Sequence, residues 1–203
     1  MKKILAALLV ASSPFMTMAH ADFVEDWRNC TTEPGIFIGL EPSELVNNKF
    51  AQLAGEIGYK FNDGFQARLT LMNFKVGNSN FIGDYGSNVI TGGHVNWRSR
   101  GYELHLDNFF TQHWYYSFTA GRYHDSFSHD MLDNQKLEHR SNTLGVGFGY
   151  QYRNLFDVKN LYMNFDIPIR AYLDPIKETK LNNSIVRERT WSGNGWLFIG
   201  YQF

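Results

Sequence analysis

The chain closes on Trp191-Ser-Gly-Asn-Gly-Trp-Leu-Phe-Ile-Gly-Tyr-Gln-Phe203. Counted back by twos, Phe203, Tyr201, Ile199 and Leu197 are apolar or aromatic. The alternate positions Gln202, Gly200, Asn194 and Ser192 are polar or small, with Trp196 and Phe198 as exceptions. A period of two is that of a β-strand with unlike faces. Stretch 161–173 repeats it: Leu161, Met163, Phe165, Ile167 and Ile169 alternate with Tyr162, Asn164, Asp166, Pro168 and Arg170. In 139–153, Leu144, Val146, Phe148 and Tyr150 alternate with Gly145, Gly147, Gly149 and Gln151.

Eight such strands are expected, at 35–41, 49–61, 65–76, 99–110, 114–126, 139–153, 161–173 and 191–203. Short connections, among them the hairpin signal Asn62-Asp63-Gly64, alternate with longer ones at 77–98, 127–138 and 174–190. Alternation alone does not say which face is inside. Aromatic position does. Tyr59, Phe61, Phe65, Phe110, Trp114, Tyr116, Tyr150, Tyr152, Tyr201 and Phe203 all fall beside the short turns, where they would form one girdle. The opposite faces carry Glu56, Arg68, Glu103, His105, Asp107, Asp166 and Arg170. Charges of both signs facing one small interior must pair, because an isolated buried charge is costly.

Together these features resemble the small bacterial outer-membrane β-barrels, whose terminal aromatic strand is read by the barrel-assembly machinery. The expected fold is all-β, an eight-stranded antiparallel up-and-down transmembrane β-barrel over 35–203. Leu197, Ile199, Tyr201 and Phe203 would then be the membrane-insertion signal. Eight strands leave an interior that side chains just fill. The charged set therefore reads as a stiffening plug, with a narrow gated channel as the alternative. The inward glycines at 145, 147 and 149 make room for large neighbours such as Arg153 or Tyr162. Pro168 lacks an N–H and is expected at a bulge or break in the ladder.

The N-terminus reads as a signal peptide over 1–21. Lys2 and Lys3 precede an apolar run, and Ala19-His20-Ala21 is the cleavage site. A short periplasmic leader follows at 22–34, with a helical turn near 23–27. Losing Lys2 and Lys3 takes the formal net charge from −1 to −3, which gives no reason to expect nucleic acid. The single Cys30 has no partner in its own chain for a disulfide. No metal or cofactor is expected. The expected partners are outer-membrane lipids and lipopolysaccharide, and the expected state is a monomer in the cell outer membrane.

The richest reactive stretch is His124-Asp125-Ser126 through His139-Arg140-Ser141-Asn142. A His base beside a Ser hydroxyl, with a carboxylate to orient the ring, suffices for acyl transfer. His139-Arg-Ser141-Asn142 is similar to the His-x-Ser-Asn element of the outer-membrane lipid A 3-O-deacylases. That resemblance implies His139 as base and Ser141 as nucleophile, although strand parity turns both toward the lumen. The ending Tyr201-Gln202-Phe203 is similar to that of the lipid A palmitoyltransferases. Arg98, Arg100, Arg122, Arg140, Arg187 and Arg189 lie toward the long connections, where they could meet lipopolysaccharide phosphates. The leading expectation is a non-enzymatic structural or surface-interaction barrel whose outward loops meet lipopolysaccharide, a host surface or a partner protein. The alternative is a lipid A or phospholipid acyl hydrolase or transferase.

Overall fold

A computed structural model describes residues 33–42, 53–76, 84–86, 90–91, 95–129, 132–182 and 184–203. Eight antiparallel strands close a ring. They are β1 (Gly35–Leu40), β2 (Leu53–Asn62), β3 (Phe65–Val76), β6 (Val95–Phe109), β7 (Trp114–His129), β8 (Leu132–Arg153), β9 (Leu161–Tyr172) and a last strand in two pieces, β12 (Trp191–Asn194) and β13 (Trp196–Gln202). Sequential neighbours pair throughout, and β13 closes the ring by pairing with both β9 and β1. Of four further short strands, β4 (Asp84–Gly86) pairs with β12, while β5 (Ile90–Thr91), β10 (Thr179–Leu181) and β11 (Ser184–Val186) lie outside this sheet.

Burial alternates along the strands as the sequence period requires. In β6, positions 103, 105 and 107 are buried, while Tyr102, Leu104 and Leu106 lie on the outside. The outer wall exposes apolar side chains from every barrel strand, from Val146 at 37% to Ile169 at 53%. A soluble barrel buries such residues. Here the apolar set faces out and the charges face in, which is the arrangement of a barrel that crosses a bilayer. No helix among the described residues is long and apolar enough to cross a membrane.

One end of the ring carries short turns. Asp63 and Gly64 join β2 to β3, and the Gly64 amide donates to the Asn62 side chain at 2.9 Å. Thr111 Oγ1 accepts the Trp114 and His113 amides at 2.8 and 3.1 Å in the next turn. A 3-10 turn at Leu155–Asp157 makes the third. The aromatic girdle lies at this end: Trp114 meets Tyr150 at 4.7 Å between ring centroids, Tyr59 meets Phe61 at 5.0 Å and Tyr201 meets Phe203 at 5.3 Å.

The other end departs from the sequence reading. Of the expected loop 127–138, residues 127–129 and 132–138 are strand. β7 and β8 pair well beyond the apolar belt, with Phe127 opposite Leu137 and Ser128 opposite Lys136. β6 also begins at Val95 rather than at 99. Segment 174–190 is not a free loop either. It contributes β10 and β11, which form a small sheet with β5. Ile176, Leu181 and Val186 pack there with Val95, Trp97 and Phe127 in an apolar cluster. This burial explains why the strands persist: the sheet extension has a second core to cover, and burying each such side chain is worth about 1.5–3 kcal/mol.

Pro168 is inward and opposite Gly147 of β8, with no register shift. The expected bulge is absent from β9. The ladder is instead open on the other side, between the Gly193–Ile169 and Trp196–Asp166 pairs, where the last strand breaks at Gly195. A residue with no N–H matches a gap in the neighbour's bonding without any slip of register. The signal segment, the turn at 23–27, Cys30 and residues 49–52 lie outside the described residues.

Candidate functional site

The interior is built around two arginines. Arg68, from the middle of β3, is fully buried and reaches three carboxylates from three other strands. Its Nε donates to Asp107 at 2.8 Å, Nη1 to Glu56 at 3.2 Å and Nη2 to Asp166 at 2.5 Å. Tyr115 stands beside it, with the guanidinium 5.7 Å from the ring centroid. Its hydroxyl donates to Asn164 at 2.7 Å. Tyr162 and Asn164 donate to the Glu56 oxygens at 2.9 and 3.2 Å, and Gln66 donates to Asp107 at 2.9 Å. The second centre is Arg170 on β9, whose Nε and Nη2 donate to Glu103 at 2.7 and 2.6 Å. Its Nη1 donates to Asn194.

His105 lies between the centres. Its ring nitrogens are 3.2 Å from Glu103 and 3.4 Å from Asp166, within ion-pair distance but not aligned as hydrogen bonds. With His105 neutral, two arginines face four carboxylates, a formal charge of −2; a protonated His105 leaves −1. The structure thus brings all seven lumen residues read from the sequence into one connected network. Tyr115, Asn164, Tyr162 and Gln66 also belong to it. Their strand parity was legible, but which polar neighbour each would meet depends on the closure of the ring.

The packing around the network leaves little space. Gly149 is inward, and a Cβ there would lie 2.1 Å from the Tyr115 ring. Room for Tyr162 comes instead from Gly39 and Gly200, where added Cβ atoms would meet it at 2.7 and 2.4 Å. This corrects the sequence assignment of Tyr162 to the β8 glycines. At the short-turn mouth, Arg153 donates to Gln202 at 2.9 Å and to Gln151 at 2.6 Å. Against the network, Ala54, Met72, Tyr123, Trp196 and Phe198 form an apolar cluster, with Trp196 opposite Asp166 and Phe198 opposite Asn164. Trp196 and Phe198, the two exceptions to the terminal alternation, are therefore core residues.

The reactive stretch is divided by the barrel wall. Asp125 points inward and accepts the Trp97 indole N–H at 2.9 Å. His124 and Ser126 take the opposite parity, and His124 lies 3.6 Å from Glu138. The Lys136 ammonium, 2.5 Å from Glu138, holds that carboxyl below the usual range. His139 Nε2 donates to the Asp174 carbonyl at 2.7 Å. Ser141 is buried two residues along the same face, and its hydroxyl has no hydrogen-bond partner among the described residues. His139 and Ser141 share a face without a bond joining them; His124, Asp125 and Ser126 do not converge. Arg189 also differs from its expected outward place: it is buried between the rings of Trp97, at 4.8 Å, and Tyr172, at 5.1 Å. No group of metal-ligating residues occurs among the described residues.

No family model matches the chain, and no curated protein does either. Among solved structures it is similar to Ail, the attachment invasion locus protein of Yersinia pestis, at 16% identity over 84% of this chain and 97% of that one, with a TM-score of 0.43. Ail in complex with the heparin analogue sucrose octasulfate matches at 13% identity over 84% and 97%, with a TM-score of 0.39. The N-terminal β-barrel domain of Pseudomonas aeruginosa OprF matches at 16% identity over 86% and 100%, with a TM-score of 0.37. Identities this low say nothing about ligands or activity.

Proposed function

We propose that the chain is a closed outer-membrane barrel that works through its outward surface, with the long-loop end facing the medium and the short turns facing the periplasm. One observation carries the reading: the apolar side chains face out and the charges face in, while β6–β8 continue past the belt and carry their own packed core. A rigid projecting sheet suits contact with lipopolysaccharide, a host surface or a neighbouring protein. The arginine-centred interior is a stiffening plug, because its charges are paired within the wall and large side chains fill the space between them.

Orientation is tested with thiol reagents that do not cross the membrane, in a Cys30→Ser background. Lys136→Cys should label on intact cells, and Asp157→Cys only after the outer membrane is opened. The reverse pattern sinks the orientation. The role is tested by replacing residues 129–135 with a two-residue Asn-Gly turn, which keeps Ser128 opposite Lys136, in cells where insertion is verified. Adhesion of those cells to cultured epithelial cells should fall to that of cells lacking the protein; unchanged adhesion would count against a surface role for this hairpin. The acyl-hydrolase reading keeps its own test, in which His139→Ala and Ser141→Ala leave folding intact and abolish any change in the mass spectrum of lipid A.

A further inference from the structure

A groove of about 960 Å3 is cut into the outer wall over β1–β3 and β6–β8. Its apolar side is made by Ile38, Leu40, Leu53, Ile57 and Leu71, all strongly exposed. Gly55 opens it. This glycine faces outward in a cross-strand row that otherwise carries long side chains: Leu40, Gly55, Leu71, Tyr102 and Arg122. A Cβ at Gly55 would rest 3.3 Å from the Gly39 carbonyl and 3.4 Å from Leu40, so a small group fits while a large one fills the notch.

The next row toward the long-loop end reads Leu53, Asn73, Arg100, His124 and Arg140. Arg100, Arg122, His124 and Arg140 thus stand together on the groove's polar rim. Asn73 accepts from Arg100 Nε at 3.3 Å and orients that side chain. Among the described residues, none of the three arginines has an ion pair. Among the described residues, the only acid lining the groove is Glu56, whose side chain points inward to Arg68. Glu138 lies one step further along β8, where Lys136 holds it at 2.5 Å and His124 approaches it at 3.6 Å. An apolar trough therefore leads to an uncompensated cationic rim at the edge of the belt.

We propose that this groove seats lipid A, with an acyl chain along Leu40, Leu53 and Leu71 and phosphate on Arg100, Arg122 and Arg140. The proposal rests on the outward orientation argued above, which puts the rim in the outer leaflet. Neighbouring strands are about 4.8 Å apart, so cations on β6, β7 and β8 spread over roughly 10 Å. That span and three guanidiniums exceed what one glycerophospholipid phosphate needs, and they suit a wide headgroup with two separated phosphates. Guanidinium–phosphate pairs are bidentate and charge-assisted, which supplies the affinity.

The full-length folded protein is placed in phosphatidylcholine nanodiscs with one probe: bis-phosphorylated lipid A, monophosphoryl lipid A or phosphatidylglycerol. Native mass spectrometry reads the lipid retained on release. Bis-phosphorylated lipid A should be retained at least about tenfold more than phosphatidylglycerol, with the monophosphoryl form between them. The combined variant Arg100→Ala, Arg122→Ala, Arg140→Ala and the notch-filling Gly55→Trp should each lose that retention; Lys136→Ala should keep it. Heat-modifiable gel mobility verifies folding of every variant. Equal retention of phosphatidylglycerol, or undiminished retention in the folded triple-arginine variant, overturns the proposal. The thiol-labelling pattern reports orientation separately, so an inverted barrel and an absent lipid seat give different results.

Discussion

Arg68 meets Glu56, Asp107 and Asp166 through three different nitrogens, which the single ammonium of a lysine has no geometry to do. Arg68→Met would leave three carboxylates facing one another in a water-poor interior. The expected loss is about 3–5 kcal/mol, read as a shift of the urea unfolding transition in detergent micelles. A loss below about 1 kcal/mol would mean that the interior carboxylates are easily neutralised or hydrated. Gly149→Val is the matching steric test. Tyr115 is pinned by its bond to Asn164, so it has no free direction in which to yield to a side chain at 149. We expect about 1–3 kcal/mol of destabilisation by the same measurement; an unchanged midpoint would show that the Tyr115 ring has another seat. At this scale the sequence was legible in parity. Glu56, Arg68, Glu103, His105, Asp107, Asp166 and Arg170 were readable as inward. Their pairing was not, because Arg68 and Asp166 are 98 positions apart and meet across the bore.

The extended strands β6–β8 and segment 174–190 form the element that projects beyond the belt. Its tie is Arg189, held between Trp97 and Tyr172. Arg189→Ala should loosen the projection by about 2 kcal/mol, the worth of a desolvated cation–π contact, and leave the barrel intact. Limited proteolysis should then cut within 174–190 while heat-modifiable mobility is unchanged. Resistance equal to the parent would show that the apolar cluster alone holds the segment. The polar run around 128–136 reads as loop in sequence, since Ser, His, Asp, Asn and Gln suit turns as well as strand edges. Its described residues, 128–129 and 132–136, are strand because β7 and β8 pair with each other and because Phe127, Leu137 and Trp97 gain a cover from Ile176, Leu181 and Val186. That cover comes from 39 or more residues away along the chain, where a local reading does not look.

The whole barrel is filled from end to end: a glutamine–arginine cluster at the short-turn mouth, two arginine centres with an apolar cluster packed against them, and at the far end the apolar cluster that includes Leu181 of β10 and Val186 of β11. A bore so filled should show no stepwise conductance in planar bilayers; regular openings abolished by Arg170→Ala would instead establish a gated path. The sequence by itself determined the eight-strand alternation, the aromatic girdle, the short-turn end and which residues face the lumen. These follow from a period of two and from turn chemistry, both local properties of the chain. Only the tertiary structure decided that Arg68 and Arg170 head separate centres with His105 between them, that Arg189 is buried, and that Gly55 and three arginines share one outer groove. Each of those depends on the register between strands and on the closing of the ring, which bring together residues that no local pattern relates.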